Sequence, residues 1–281
     1  MVVLVTGASG QLGQALKSVR SSYTQIDFHF ADSSQGDITD LSKIRLLFDE
    51  VKPHFCINAA AYTAVDKAES EPEKAYAINV AGAANLASVC LEKDCTLIHI
   101  STDFVFDGES KIPYSEEQET HPTGVYGLTK RDGELEIQKI LPRHFIVRTS
   151  WVYSEFGHNF MKTMLRLAKE RDEVNVVNDQ IGTPTYAVDL AHALIHIILS
   201  EKAIYGIYNF SNEGIASWYD FAKEIFSLSS STIKLNAIPT SAFPTPAKRP
   251  SYSVLDKSRI RSVFGLQIRP WQQALAEAIK K

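Results

Sequence analysis

Short apolar runs alternate along this chain with longer stretches in which apolar residues recur every three or four positions. The runs Val2–Val5, Phe55–Asn58, Thr96–Ile100 and His144–Arg148 carry few polar side chains. Strands of a parallel sheet read this way, because helices cover both of their faces. Gln25–Ala31 alternates and predicts a further strand. Between these runs the spacing predicts helices over Gln11–Arg20, over Leu41–Val51 with Asp40 as its cap, over Glu73–Glu92 behind Pro72, and from Val125 onward. Val65–Glu69 reads as a short charged turn. Strands and helices in strict alternation predict an α/β fold built on a doubly wound parallel sheet.

Beyond Trp151 the alternation is less regular. Helices are predicted over Asn159–Glu170, over Asp189–Leu199, from the Ser217 cap through Phe226, and over Pro270–Lys280. Gly206–Phe210 reads as a strand, Asn178–Pro184 as a polar loop, and Pro239–Pro250 as a rigid basic loop. No internal repeat is present.

The first apolar run ends in a glycine turn, with Gly7, Gly10 and Gly13 ahead of a helix. Such a turn lets a pyrophosphate approach the backbone and meet the positive end of the helix dipole. Residues 1–150 are therefore read as a dinucleotide-binding Rossmann domain. Residues 151–281 are read mainly as a smaller substrate-binding lobe, with some segments returning to the main sheet. Asp32 ends the second strand, where a carboxylate can accept from ribose hydroxyls and repel a 2′-phosphate. Ser33 and Ser34 can instead donate to that phosphate, so NADPH and NADH both stay open, as does a plain loop role for Asp32. Ala59, Ala60 and Ala61 leave space for a ligand beyond the third strand. The expected cofactor-binding set is Gly7, Ser9, Gly10, Gln11, Leu12, Gly13, Asp32, Asp37, Ile38, Ala59, Ala60, Ala61, Tyr126 and Lys130.

Tyr126 and Lys130 stand one turn apart on a predicted helix, on one face. A free tyrosine, with a pKa of about 10, is a poor acid or base near neutrality. A nearby ammonium favours the phenolate, and a tyrosine so tuned can protonate an alkoxide as hydride reaches a carbonyl. Thr102, at the end of the fourth strand, is placed to hydrogen-bond the same carbonyl.

Bulk properties narrow the field. The chain has 281 residues, 44% of them hydrophobic, enough for a sizeable core. The net charge of −4 and the lack of like-charge runs give no reason to expect nucleic acid or an anionic membrane as partner. Cys56, Cys90 and Cys95 are scattered in sequence and form neither a disulfide framework nor a metal pattern, which predicts a cytoplasmic setting. No apolar run reaches transmembrane length, and a first strand from residue 2 leaves no room for a signal peptide.

Several stretches resemble the extended short-chain dehydrogenase/reductase family. They are Asn58–Pro72, Ser101–Phe106, Val125–Lys130, Arg148–Tyr153, Asn159–Leu165, Asn178–Thr185 and Pro244–Pro250. Within the family they resemble the branch that reduces the C4 ketone of dTDP-4-dehydro-L-rhamnose, the last step of dTDP-L-rhamnose synthesis. The likeness runs from residue 3 to about residue 271. It implies NADPH or NADH as reductant and Thr102, Tyr126 and Lys130 as the catalytic trio. Tyr126 would protonate the C4 oxygen, Lys130 would tune Tyr126 and bind the nicotinamide ribose, and Thr102 would polarise the carbonyl. It further implies Val65, Asp103 and Trp151 as sugar contacts. Asn159, Gln180 and Arg249 are candidates for the nucleotide half, the arginine fork suiting a diphosphate.

Two departures stand out. Magnesium-bridged dimers of the family carry a glutamate early in the first helix, where this chain has Gln14-Ala15-Leu16. No metal is expected, and a monomer or plain homodimer is. Phe104 stands where a tyrosine is common. Two other readings remain: another nucleotide-sugar reductase, epimerase or dehydratase of the family, and a non-catalytic NADP-binding regulatory subunit. A dehydratase needs a second acid after Asp103, where Phe104 stands. The intact Thr102, Tyr126 and Lys130 argue against the regulatory subunit.

Overall fold

Val3, Leu4, Val5, Ile57, Leu97, Ile98, Ile146 and Val147 are all fully buried, so the apolar runs do form the inside of a sheet. The computed structural model describes all 281 residues. Its main sheet has β1 (Val2–Thr6), β2 (Asp27–Ala31), β3 (Phe55–Asn58), β4 (Thr96–Thr102), β5 (His144–Thr149) and β6 (Gly206–Asn209). All pair in parallel, in the order β2-β1-β3-β4-β5-β6. The chain leaves β1 toward one side for β2 and returns to the other side for β3. Ligand crevices form at such a reversal, beyond the carboxyl ends of the strands. Register aligns those ends: Thr6 pairs with Ala31 and Asn58, and Thr102 with Thr149. Pairing of Ser101 and Thr102 with Arg148 and Thr149 is what carries β4 past Ile100, its predicted end.

One core lies between the sheet and the helices Gln11–Val19 and Ala187–Leu199. A second lies against Leu41–Val51, Gly82–Glu92 and Val125–Ile140. Cys56, Cys90 and Cys95, scattered in sequence, all belong to the second core as free thiols, and burial pushes Cys90 well above the usual thiol range. The Asp40 cap is present, its side chain accepting from Ser42 N–H and Lys43 N–H.

The predicted helix Glu73–Glu92 is not uniform. Pro72–Tyr76 and Gly82–Glu92 are α-helical, and Ala77–Ala81 between them forms a π turn. The wider turn accommodates buried Asn79, which accepts from Tyr62 N–H (2.8 Å) and donates to Tyr62 O (3.2 Å) and to Thr129 Oγ1 (3.1 Å). Val65–Glu69, read as a turn, instead forms a short helix at Val65–Ala68, anchored by fully buried Ala68.

Beyond residue 150, β6 and the helix Ala187–Leu199 return to the main body. The helix Trp218–Leu228 starts with a capping box between Ser217 and Asp220. Glu173–Val177 and Lys234–Ile238 form a separate parallel pair, which the periodicity did not reveal. The helix Trp271–Ala278 is shorter than predicted at both ends. No helix is long and apolar enough to cross a membrane.

Candidate active site

A cleft of about 640 Å³ opens beyond the carboxyl ends of the strands. Ser9, Gly10, Gln11, Leu12, Ala59 and Ala61 line one part, and Thr102, Asp103, Tyr126 and Lys130 the middle. Val65, Trp151, Asn159, Gln180 and Arg249 line the rest. The structure thus gathers residues from both halves of the chain into one cavity.

The glycine turn shows why it needs its glycines. Gly7 has φ +71°, and a Cβ there would fall 2.5 Å from Ala59 C and Ala60 N. Gly13 has no more room, its Cβ position being 2.5 Å from Gly7 O. Gly7 thus packs the turn against the end of β3 and Gly13 packs the helix start against the turn, and neither they nor Ala60 line the cleft. Gly10 does line it, as N-cap of the helix Gln11–Val19, which has no side-chain cap and no acid in its first turn. Its first N–H groups and dipole are left for an anion.

Three further residues of the expected cofactor set also stand outside the cleft. Asp32 Oδ1 accepts from Ser34 Oγ (2.6 Å) and Ser34 N–H (2.9 Å), a turn that holds its carboxyl below the usual range. Asp37 forms the same kind of turn with Thr39. Ile38 is buried against Gly82, where a Cβ would come within 2.6 Å of its Cγ1.

The helix Val125–Ile140 delivers Tyr126 and Lys130. It approaches the end of β4 closely because of Gly127, whose Cβ would sit 2.1 Å from Phe104 O. Tyr126 thereby comes beside the Thr102 hydroxyl, which favours its phenolate. Thr102 Oγ1 donates to Asp103 Oδ1 (3.0 Å) and accepts from Phe104 N–H (3.2 Å). Phe104 packs edge-on against Tyr126, ring centroids 5.6 Å apart.

Burial dominates the acidity of both Tyr126 and Lys130. It pushes Tyr126 up to about 12 and Lys130 down to about 8. Lys130 Nζ donates to Ile100 O (2.6 Å) and contacts His99 Nε2 (3.2 Å). Asp103 is buried and pushed up to about 6 by desolvation, with Oδ2 unpartnered.

Trp151 adopts φ +46° and stacks on Trp218 at 3.6 Å and 9°. Gly182 leaves room for the indole, Trp151 Cε2 lying 2.6 Å from the Gly182 Cβ position. Arg249 Nη2 donates to Asp66 Oδ2 (2.7 Å), while Nη1 is buried and free. Gln180 Nε2 donates to Thr240 Oγ1 (3.1 Å). Asn159 caps its helix and donates to Gln11 Oε1 (2.9 Å), tying the glycine turn to the second half of the chain.

Sequence reasoning missed Trp218, Ser101 and Thr149. Ser101 and Thr149 line the floor with buried hydroxyls that have no partner. Only the Ser217 cap signalled where Trp218 would lie. The uncapped helix start and these unpartnered hydroxyls suit a dinucleotide reaching from the glycine turn to Tyr126.

Known proteins resemble this chain over nearly its whole length. The family model described as RmlD substrate binding domain matches residues 1–281. A dTDP-4-dehydrorhamnose reductase of Aggregatibacter actinomycetemcomitans is 44% identical, over 97% of this chain and 96% of its own. The crystal structure of a dTDP-4-dehydrorhamnose reductase from Clostridium acetobutylicum matches with TM-score 0.95 at 42% identity, covering 100% of this chain and 99% of that one. That of the Bacillus anthracis reductase in complex with NADP matches with TM-score 0.96 at 39% identity, covering 99% and 98%.

Proposed function

The chain belongs to the dTDP-4-dehydrorhamnose reductase family, and we propose that it reduces the C4 ketone of dTDP-4-dehydro-L-rhamnose to dTDP-L-rhamnose with NADPH or NADH. The observation that carries this reading is the meeting of Thr102, Tyr126 and Lys130 in the cleft that the open helix start of Gln11–Val19 also lines.

The nicotinamide supplies a hydride to C4 when bound. The diphosphate of the cofactor is held by Ser9, Gly10, Gln11 and Leu12 at the helix start, with Ala59 and Ala61 beside it. Asp32, Asp37 and Ile38 shape the edge of this subsite from outside the cleft. With substrate bound, Thr102 turns its single hydroxyl proton from Asp103 to the ketone oxygen, and Tyr126 gives that oxygen a proton. Lys130 holds the ribose and takes part in the proton balance of Tyr126. Val65, Asp103 and Trp151 contact the sugar. Arg249 directs its free Nη1 to the nucleotide diphosphate, with Gln180 and Asn159 completing that half. In this reading residues 1–150 bind the cofactor and most of residues 151–281 bind the nucleotide sugar. Three buried free thiols support a reducing, cytoplasmic setting. Gln14-Ala15-Leu16 supports a monomer or homodimer with no bridging metal.

Loss of reduced-cofactor absorbance with dTDP-4-dehydro-L-rhamnose, using NADPH and NADH separately, tests the proposal. Turnover is expected with at least one of them. A folded, cofactor-binding protein that turns over neither would refute it.

A further inference from the structure

Asp66 joins two distant parts of the chain beside the cleft. Its Oδ2 accepts from Arg249 Nη2 (2.7 Å), and its Oδ1 accepts from the Ala247 backbone N–H (3.3 Å). The short helix that carries it, Val65–Ala68, is anchored by fully buried Ala68, and Val65 lines the cleft. The loop it reaches is fixed at both ends. At one end, Thr240 donates to Asp179 Oδ1 from its hydroxyl (2.6 Å) and its N–H (2.8 Å). At the other, Pro250 packs on Gly108, its Cβ 2.5 Å from the Gly108 Cβ position, and Ser251 Oγ donates to Gly108 O (2.7 Å). Between these moorings Ser241–Pro244, Pro246 and Lys248 are exposed, whereas Ala247 is buried. Asp66 thus grips the loop in its middle.

The grip on Arg249 is one-armed. Arg148 gives Nε and Nη2 to Glu134, and Arg269 gives Nε and Nη2 to Asp189. Arg249 gives Asp66 only Nη2, keeps Nη1 buried without a partner, and lines the cleft. A guanidinium is planar, so pinning Nη2 restricts where Nη1 points. Its Cζ also lies 5.9 Å from the centre of the Phe104 ring, which packs edge-on against Tyr126.

We propose that Asp66 is a positioning residue for the nucleotide sugar: it clasps the loop to the first half of the chain and holds the free arm of Arg249 ready for the diphosphate before the ligand arrives. An arginine ordered in advance spares the ligand the entropy of ordering it. The role toward the ligand rests on the reductase reading, whereas the clasp does not.

Asp66→Asn keeps the shape but has one acceptor oxygen in place of two, so it serves Arg249 or Ala247 and sets N–H against N–H at the other. Hydrogen exchange over residues 245–249 should then be at least about threefold faster than in wild type. Unchanged exchange would overturn the clasp. In the cofactor-absorbance assay, KM for dTDP-4-dehydro-L-rhamnose should rise about three- to tenfold, with kcat and the KM for reduced cofactor within about twofold. Added to Arg249→Ala, the same change should cost less than about twofold more, because both act through one contact. A cost as large as in wild type, or a fall in kcat with KM unmoved, would overturn the route through Arg249. Absent turnover of dTDP-4-dehydro-L-rhamnose by wild type would defeat the reductase reading, and the exchange result would still decide the clasp.

Discussion

The two walls of the cleft are built differently. The wall carrying Thr102, Tyr126 and Lys130 comes from β4 and one long helix, both parts of the regular sheet-and-helix body. Its polar groups are fixed by short-range hydrogen bonds and by the buried contacts of His99 with Asn58 and Lys130. The wall carrying Trp151, Gln180, Trp218 and Arg249 comes from loops and element ends. It is held by contacts between distant parts of the chain: Trp151 on Trp218, Arg249 on Asp66, Asn159 on Gln11. Placing an acid within reach of a carbonyl demands a rigid mount, because misplacement there costs rate directly. Holding a nucleotide sugar demands reach across the cleft, which loops supply. On the proposed reading, turnover belongs to the first wall and affinity to the second.

The largest expected effect breaks the first wall. Tyr126→Phe should lower kcat about 10²- to 10⁴-fold with little change in KM, read in the cofactor-absorbance assay. A mutant close to wild type would move the proton donor elsewhere. Arg249→Ala attacks the second wall, removing a charge-assisted contact worth about 1.5–3 kcal/mol. KM for the nucleotide sugar should rise roughly ten- to a hundredfold with kcat nearly kept. A fall in kcat alone would erase the division between the walls.

Asp103 sharpens the contrast through stability. Its folded value of about 6 lies above the unfolded value of about 3.9, so the folded chain binds the extra proton between them. Its burial therefore costs stability increasingly as pH rises through that window, and the full cost is present above about pH 6. Asp103→Asn should thus melt higher than wild type at about pH 8, by on the order of 2 kcal/mol, and lose the gain below about pH 4. An equal difference at both ends would show that the charge is not the cause. The smallest expected effect is Gly182→Ala. Its new methyl meets Trp151 and should cost about 1–2 kcal/mol in thermal unfolding, with a raised KM as the Trp151–Trp218 stack is displaced. An unchanged melting temperature would mean that the indole has room to move.

The first wall was legible in the sequence and much of the second was not, for a physical reason. Apolar runs, the glycine turn and the one-turn spacing of Tyr126 and Lys130 are local signals that follow from strand and helix periods. Trp218, the positive φ of Trp151 and the strand Lys234–Ile238 depend on neighbours far along the chain, which no window of sequence contains. Asp32 was visible as a residue but not as a turn already satisfied by Ser34. His99 sat inside an apolar run and gave no sign of its contact with Asn58. Helical spacing alone also did not show that Lys130 donates to Ile100 O and contacts His99.

Transfer of deuterium from cofactor deuterated at the reactive nicotinamide carbon tests the central claim most directly. Reduction at C4 predicts dTDP-L-rhamnose with deuterium at C4 of the sugar, seen by proton NMR as loss of the H4 signal. Deuterium at another carbon, or cofactor oxidised without a labelled sugar, would contradict it.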